Sequence, residues 1–283
     1  MTIPPAANSP WGAFAIHDWR LRWLKALHAI PSAPAWRRVG LWLRKPLKNS
    51  LPPVVDHDIW GLRLRLNSRG NLSEQRLLLL PQHLDAIERQ VLARELSKGG
   101  VFFDVGANIG VYTLWVASAC RDSVRVEAFE PDPTLCGRLA FNLETNGLSQ
   151  VHLNQVALGR SEGTATLVSG DGNSGENRVE SITSPSGGFT VRMTTLAEHV
   201  RQKGIARIDA MKIDVEGHEM DVLEPFFETA PRSVWPRLLI SERVHEAGQG
   251  ISQLLASRGY ILASHSRLNG IYRLSDSPST SNA

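Results

Sequence analysis

The residues that could do chemistry gather where apolar runs give way to helical patterns. Asp104-Val-Gly-Ala-Asn-Ile-Gly110 closes the apolar run Val101–Val105 and precedes Val111, Leu114 and Trp115 at helical spacing. Gly106 and Gly110 let backbone come close to a ligand, and the helix start beyond them offers free N–H groups. The dinucleotide spacing Gly-x-Gly-x-x-Gly is absent, because Ala107 and Asn108 fill the middle. Asp104 would repel a pyrophosphate but suits a ligand carrying an ammonium and a sulfonium. S-adenosylmethionine is such a ligand. Glu130, at the end of the run Val124–Phe129, is placed to accept both ribose hydroxyls. The adenine is expected near Ala157. The expected cofactor-binding set is therefore Asp104, Gly106, Ala107, Asn108, Gly110, Glu130 and Ala157.

Two later strand ends are rich in ionisable groups, Lys212-Ile-Asp-Val-Glu-Gly-His-Glu219 and Ser241-Glu-Arg-Val-His245. Strand alternation puts Lys212, Asp214 and Glu216 on one face. Three charges are costly to bury unless they pair or serve a ligand. Either Lys212 is the structural partner of a carboxylate, or Asp214 or Glu216 faces a methyl acceptor. Displacement at a sulfonium-activated carbon depends on positioning, and a hydroxyl acceptor must also lose its proton to a base. Asp214 is the expected residue at the acceptor, with Glu216 and His245 as alternative or assisting bases and Glu242 and Lys212 beside them. Asp214, Glu216, His218 and Glu242 could converge on a divalent cation, but their spacing is not that of a tight ligand set, and no metal is expected.

These groups need a scaffold of alternating strands and helices, which predicts a mostly parallel sheet covered on both faces. Strands are expected at 101–105, 124–129, 151–158, 208–215 and 235–241, and a closing antiparallel hairpin at 260–264 and 271–274. Asp132 and Pro133 start one helix, Thr195 caps another, and Met220, Leu223 and Phe227 mark a third. Ahead of this domain, the spacing predicts a helix over 11–30 with Ile16, Trp19, Trp23, Leu27 and Ile30 as its stripe. A half-buried strand is expected at 60–66, and a helix at 83–97 with Leu84, Ile87, Val91 and Leu96 inward. The segment 169–188, with its glycines and serines, is either a lid over the acceptor or a hairpin crossing. The organisation expected is a basic helical segment at 1–50, an extension at 51–84, an α/β domain at 85–275 and a disordered tail at 276–283.

The chain resembles the FkbM-type S-adenosylmethionine-dependent methyltransferases. The matching residues are Asp104–Gly110, Phe129-Glu-Pro131, Asn146-Gly-Leu148, Ala157-Leu-Gly159, Thr194-Thr-Leu196 and Lys212-Ile-Asp-Val-Glu-Gly217 with Glu219. The resemblance covers residues 85–274. It implies a Rossmann-like seven-stranded sheet and methyl transfer to oxygen, often of a sugar or polyketide hydroxyl. Ala197 stands where the family often has Asp, and the basic front segment has no clear counterpart there.

The chain has 283 residues, 42% hydrophobic and 21% charged, as expected of a globular protein with a full core. Two cysteines exclude a disulfide-dense scaffold and suit a reducing compartment. No apolar stretch is long enough to span a bilayer, and the charged start and apolar run of a secretory signal are absent, so a cytoplasmic protein is expected. The net charge of +3 hides an asymmetry: residues 1–50 carry +7 and five of the eight tryptophans. That segment reads as an interfacial helix on an anionic membrane through residues 11–45, or as a stripe packed on the domain. The leading functional expectation is an O-methyltransferase acting on a glycan or glycolipid precursor. The alternatives are a polyketide-type acceptor, a nucleic-acid acceptor, or an inactive membrane-surface adaptor. The net acidic remainder of the chain disfavours nucleic acid.

Overall fold

The structure, a computed structural model, describes residues 9–168, 178–180, 189–243 and 250–275. Three helices open the chain, α1 (Trp19–His28), α2 (Pro34–Leu43) and α3 (Lys45–Ser50), followed by the hairpin β1 (Val54–Ile59) and β2 (Leu62–Asn67). Then come α4 (Leu72–Leu79), α5 (Ala86–Glu95), β3 (Gly100–Val105), α6 (Val111–Cys120), β4 (Val124–Phe129), α7 (Pro133–Thr145) and β5 (Val151–Asn154). The strands β6 (Ala157–Leu158), β7 (Gly163–Val168), β8 (Arg178–Glu180) and β9 (Phe189–Thr194) form a separate sheet. The chain ends with α8 (Leu196–Gln202), β10 (Ala210–Ile213), α9 (Glu219–Thr229), β11 (Leu238–Glu242), α10 (Gly250–Ser257), β12 (Tyr260–His265) and β13 (Asn269–Leu274).

The main sheet has seven strands in the order β12-β13-β11-β10-β3-β4-β5. The pairs from β11 to β5 are parallel, and the hairpin β12–β13 joins the edge antiparallel. This is the expected Rossmann-like α/β fold. Alternation sends Phe102, Val126 and Leu238 into the core on one face, and Phe103, Phe129, Met211 and Leu239 into the core on the other. The chain leaves β3 toward β4 and β5, then returns on the far side as β10 and β11. That reversal opens a crevice at the carboxyl ends of β3 and β10, the usual ligand position in such sheets.

The front of the chain differs from its sequence pattern. Residues 11–18 are not helical, and α1 begins at Trp19 because the Asp18 carboxylate caps it by accepting from Arg20 N at 2.9 Å. Trp19 and Trp23 point outward, while Leu24 and Leu27 are fully buried. Trp60-Gly61, expected to begin a strand, is instead the turn between β1 and β2, with positive φ at both positions as a type I′ turn requires. The helix at 83–97 shortens to α5 and exposes Ile87, although Leu84 and Leu96 are buried as expected. The expected strand 151–158 divides after Asn154 between the two sheets. Residues 169–177, 181–188 and 276–283 lie outside the described residues, so the lid or hairpin crossing and the tail do too.

The front segment shares its core with the sheet. Leu24, Leu27, Leu47 and Leu51 belong to the same buried cluster as Phe102, Leu114 and Leu139. A second clasp is ionic. Arg65 makes a bidentate pair with Asp56 at 2.8 and 2.9 Å and donates to the carbonyls of Ser9 and Pro10, both at 2.7 Å. Asp56 also accepts from Gly12 N and Phe14 N. Leu24→Ala should therefore lower the unfolding free energy of the whole chain by roughly 2–5 kcal/mol in denaturant titration. A parental midpoint, or a separate early transition, would show that the front segment folds apart from the sheet.

Candidate active site

A cavity of about 560 Å³ opens in the crevice at the carboxyl ends of β3, β4 and β10. Asp104, Gly106, Ala107, Asn108, Glu130 and Ala157 line it, together with Lys212, Asp214, Glu216 and Glu242. Sequence expectation and geometry therefore converge on one space. Gly110 is not among the lining residues, and His245 lies outside the described residues.

The loop after β3 is held from several sides. Gly106 N and Ala107 N both donate to the Phe129 carbonyl at the end of β4, at 3.0 and 2.8 Å. Asn108 adopts φ +54°, and its side-chain oxygen accepts from Ile109 N and from Asn71 at 2.8 and 2.9 Å. Asn71 is the N-cap of α4, so the extension before the sheet buttresses this loop. The two glycines serve close packing. Gly106 has φ +77°, and a Cβ there would overlap the carbonyl oxygen of Asp214. Gly110 has φ +84°, and a Cβ would collide with Leu139 on α7. Gly110 thus seats helix against helix rather than meeting a ligand.

Two buried carboxylates mark the cofactor side. Glu130 accepts from Asn108 N at 2.8 Å and from Asp132 N at 2.9 Å, one bond to each oxygen. Burial pushes its pKa up to about 7, with Asp132 and Asp104 adding repulsion against those two hydrogen bonds. Asp104 turns one oxygen toward α6, where it accepts from Thr113 N at 2.9 Å and Thr113 Oγ1 at 2.6 Å. Burial lifts its pKa to about 6, opposed by Thr113 and Lys212. A carboxylate that keeps lone pairs beside a cavity fits a vicinal diol, and the acidic surroundings fit a cationic amino acid moiety. The donor set suits S-adenosylmethionine.

Across from these carboxylates is Lys212, which is fully buried. Its ammonium donates to Asp214 Oδ2 and to the Ile213 carbonyl, both at 3.1 Å, and lies 5.6 Å from the Tyr112 ring centre. Burial alone would lower its pKa, but Asp214, Asp85 and Asp104 together hold it above the ordinary value. The expected Lys212–carboxylate pair thus exists. It uses only one oxygen: Asp214 Oδ1 is buried without a protein partner. The expected common strand face of Lys212, Asp214 and Glu216 does not extend that far, because β10 ends at Ile213 and Glu216 takes φ +54°. Glu219 braces this turn by accepting from Val215 N at 3.0 Å. Among the described residues, no group of three or more His, Cys, Asp and Glu is placed to hold a metal ion.

The sequence pattern had not singled out Asp85, Arg76, Tyr112 or Asn269 for this cavity. Each lines it. Asp85 accepts from the Tyr112 hydroxyl at 2.9 Å, and burial followed by repulsion from Glu88 raises its pKa. Asn269 donates to Glu88 at 2.8 Å. Asp85 sits between two helices far from the glycine loop in sequence, and its only signal was an Asp ahead of a helical pattern. Because Gly106 binds the loop to β10, Gly106→Ala should cost at least roughly 1–2 kcal/mol for its left-handed backbone alone, with further loss as Asp214 is displaced. Thermal unfolding checks this; a parental midpoint would mean that the two loops are not in mutual contact.

The Methyltransferase FkbM domain family matches residues 104–262. Among curated proteins, the chain is 30% identical over 136 residues to the hexuronic acid methyltransferase AglP of Haloferax volcanii, covering 48% of this chain and 53% of that protein. It is 28% identical over 217 residues to the 31-O-demethyl-FK506 methyltransferase FkbM of Streptomyces tacrolimicus, covering 62% and 81%. The chain thus spans about half the length of the first relative. Among solved structures, the METTL16 methyltransferase domain superposes with a TM-score of 0.47 at 11% identity, covering 76% of this chain and 74% of that one. With more than half of its length matched by the family, and with the loop, Glu130 and Asp214 around one cavity, the chain belongs to the FkbM methyltransferases, whose methyl donor is S-adenosylmethionine.

Proposed function

We propose that the protein transfers the methyl group of S-adenosylmethionine to a hydroxyl oxygen of a sugar, free or within a glycan. The observation that carries this reading is Asp214, a carboxylate that lines the same cavity as Glu130, is held by Lys212 through Oδ2 and has no protein partner on Oδ1. When bound, the cofactor supplies a methyl carbon activated by its sulfonium. Glu130 accepts the ribose hydroxyls, and Asp104 gives the cofactor's ammonium end an acidic wall. Lys212 fixes the Asp214 carboxylate through Oδ2, and that carboxylate takes the acceptor's proton. Glu216 and Glu242 stand beside it as assisting groups, and His245 is the alternative base. The cytoplasm is the proposed setting, where the free thiols of Cys120 and Cys136 stay reduced.

Two relatives support the choice of acceptor. The hexuronic acid methyltransferase speaks for a sugar, and the 31-O-demethyl-FK506 methyltransferase for oxygen as the atom methylated. The second relative also supports a polyketide-type hydroxyl as the second reading. Labelled S-adenosylmethionine offered with uronic-acid saccharides or macrolide alcohols separates the two. Label on the saccharide is the expected result, and label only on the macrolide would favour the second.

Glu130 makes cofactor affinity pH-dependent in a defined direction. Burial raises it from an ordinary carboxylate to about 7, so ionising it over that interval destabilises the empty fold. Cofactor hydroxyls favour the carboxylate, so affinity should fall about tenfold as the pH drops from about 8 to about 6. Glu130→Gln should bind roughly 10–100-fold more weakly at the upper pH, with a flatter profile. Calorimetry at several pH values checks both, and a parental profile in the variant would remove Glu130 from the ribose.

Asp214→Asn should lower turnover by roughly 10²–10⁴-fold while cofactor affinity changes little. If that variant keeps parental turnover and His245→Ala loses it, Asp214 is the structural partner of Lys212 and the base is His245.

A further inference from the structure

The front helices leave an unusual surface in water. In α1 and α2, Leu24, Leu27 and Gly40 face the core, while Trp19 (51%), Trp23 (39%), Trp36 (47%), Val39 (40%) and Trp42 (67%) are exposed. Single exposed apolar residues are ordinary, but four tryptophans on two neighbouring helices mark an interaction surface. The Trp23 indole N–H donates to the Leu43 carbonyl at 2.9 Å, which fixes that ring beside the end of α2 that carries Trp42.

The border of this surface is cationic. Arg44 lies close enough to Arg76 and Arg37 that burial and then their repulsion lower its pKa. Arg37 also bears on His83. Among the described residues, no carboxylate forms an ion pair with Arg37, Arg44 or Arg76. Arg76 has Asp85 within electrostatic reach, while Arg37 and Arg44 are left to water or to an anion from outside the chain. Arg76 also lines the active-site cavity, so this border reaches the cavity.

We propose that the α1–α2 face seats the protein on an anionic lipid surface, with the tryptophans among the headgroups and Arg37 and Arg44 at lipid phosphates. Tryptophan is the side chain suited to that layer, since its ring is apolar and its N–H polar. Two ten-residue helices lie along such a surface rather than cross it, and no helix among the described residues is long and apolar enough to span a bilayer. The arrangement places the cavity beside the membrane through Arg76, suited to acceptors presented from a lipid. Surface binding stands apart from the methyl-transfer reading and can be measured without any acceptor.

The test is sedimentation of the full chain with phosphatidylcholine vesicles, with and without phosphatidylglycerol. Anionic vesicles should bind at least about tenfold more tightly than neutral ones, with a blue shift of tryptophan emission. Trp19→Ala with Trp42→Ala, and separately Arg37→Glu with Arg44→Glu, should each weaken binding by about tenfold and leave S-adenosylmethionine affinity at the parental value. Equal binding to both vesicle types would overturn the proposal, as would variants that bind like the parent. Light scattering covers the other occupant: if the tryptophan substitutions convert a dimer to a monomer, the face joins two copies of the chain and the proposal falls.

Discussion

One buried ammonium holds the cavity together. Lys212 lies in register beside Asp104 across the parallel pair of β10 and β3, and it hydrogen-bonds Asp214 just beyond the strand end. Asp85 adds a third negative charge to its surroundings. Carboxylates gathered this closely around the buried Asp104 would repel one another and take up protons without a cation among them. Burying that cation is itself costly, and a lone partner left behind in such a pair costs typically about 3–5 kcal/mol. Acids and lysine are therefore each retained because of the other. The result is a cavity that stays acidic where a cationic cofactor is to lie.

The same packing joins the two ends of the site. Gly106 closes against the Asp214 carbonyl, so the loop after β3 cannot move relative to Asp214 without breaking that contact. Glu130 ties the loop to β4 through Asn108 N, and Asn71 ties it to the extension before the sheet. Positioning supplies much of the rate in displacement at an activated methyl. A rigid site drawn from β3, β4, β10 and the extension is built for that.

What was legible in the sequence lay in contiguous motifs at strand ends. Asp104–Asn108, Glu130 and Lys212–Asp214 could be placed because a strand pattern led directly into each, and the sheet then gathered them. Asp85 could not, because it reaches the cavity through helix packing that leaves no mark in local spacing. Strand β1 was missed because Val-Val-Asp-His-Asp-Ile does not alternate, and in the small sheet β6 and β8 are only two and three residues long. On α1 the expected stripe holds at Leu27 and fails at Trp19 and Trp23, because the inner face runs through Leu24 and Leu27. Leu24, lying off that stripe, is the residue that shows which way the helix faces. The tryptophans that seemed to define the core are what the core left outside.

The central claim is that the acid-lined cavity is a site for S-adenosylmethionine. Calorimetric titration of that compound into the full chain tests it most directly. The geometry predicts saturable binding of one molecule per chain, displaced by S-adenosylhomocysteine, which shares the ribose that Glu130 engages. Absence of saturable heat, or binding that S-adenosylhomocysteine does not displace, would contradict it.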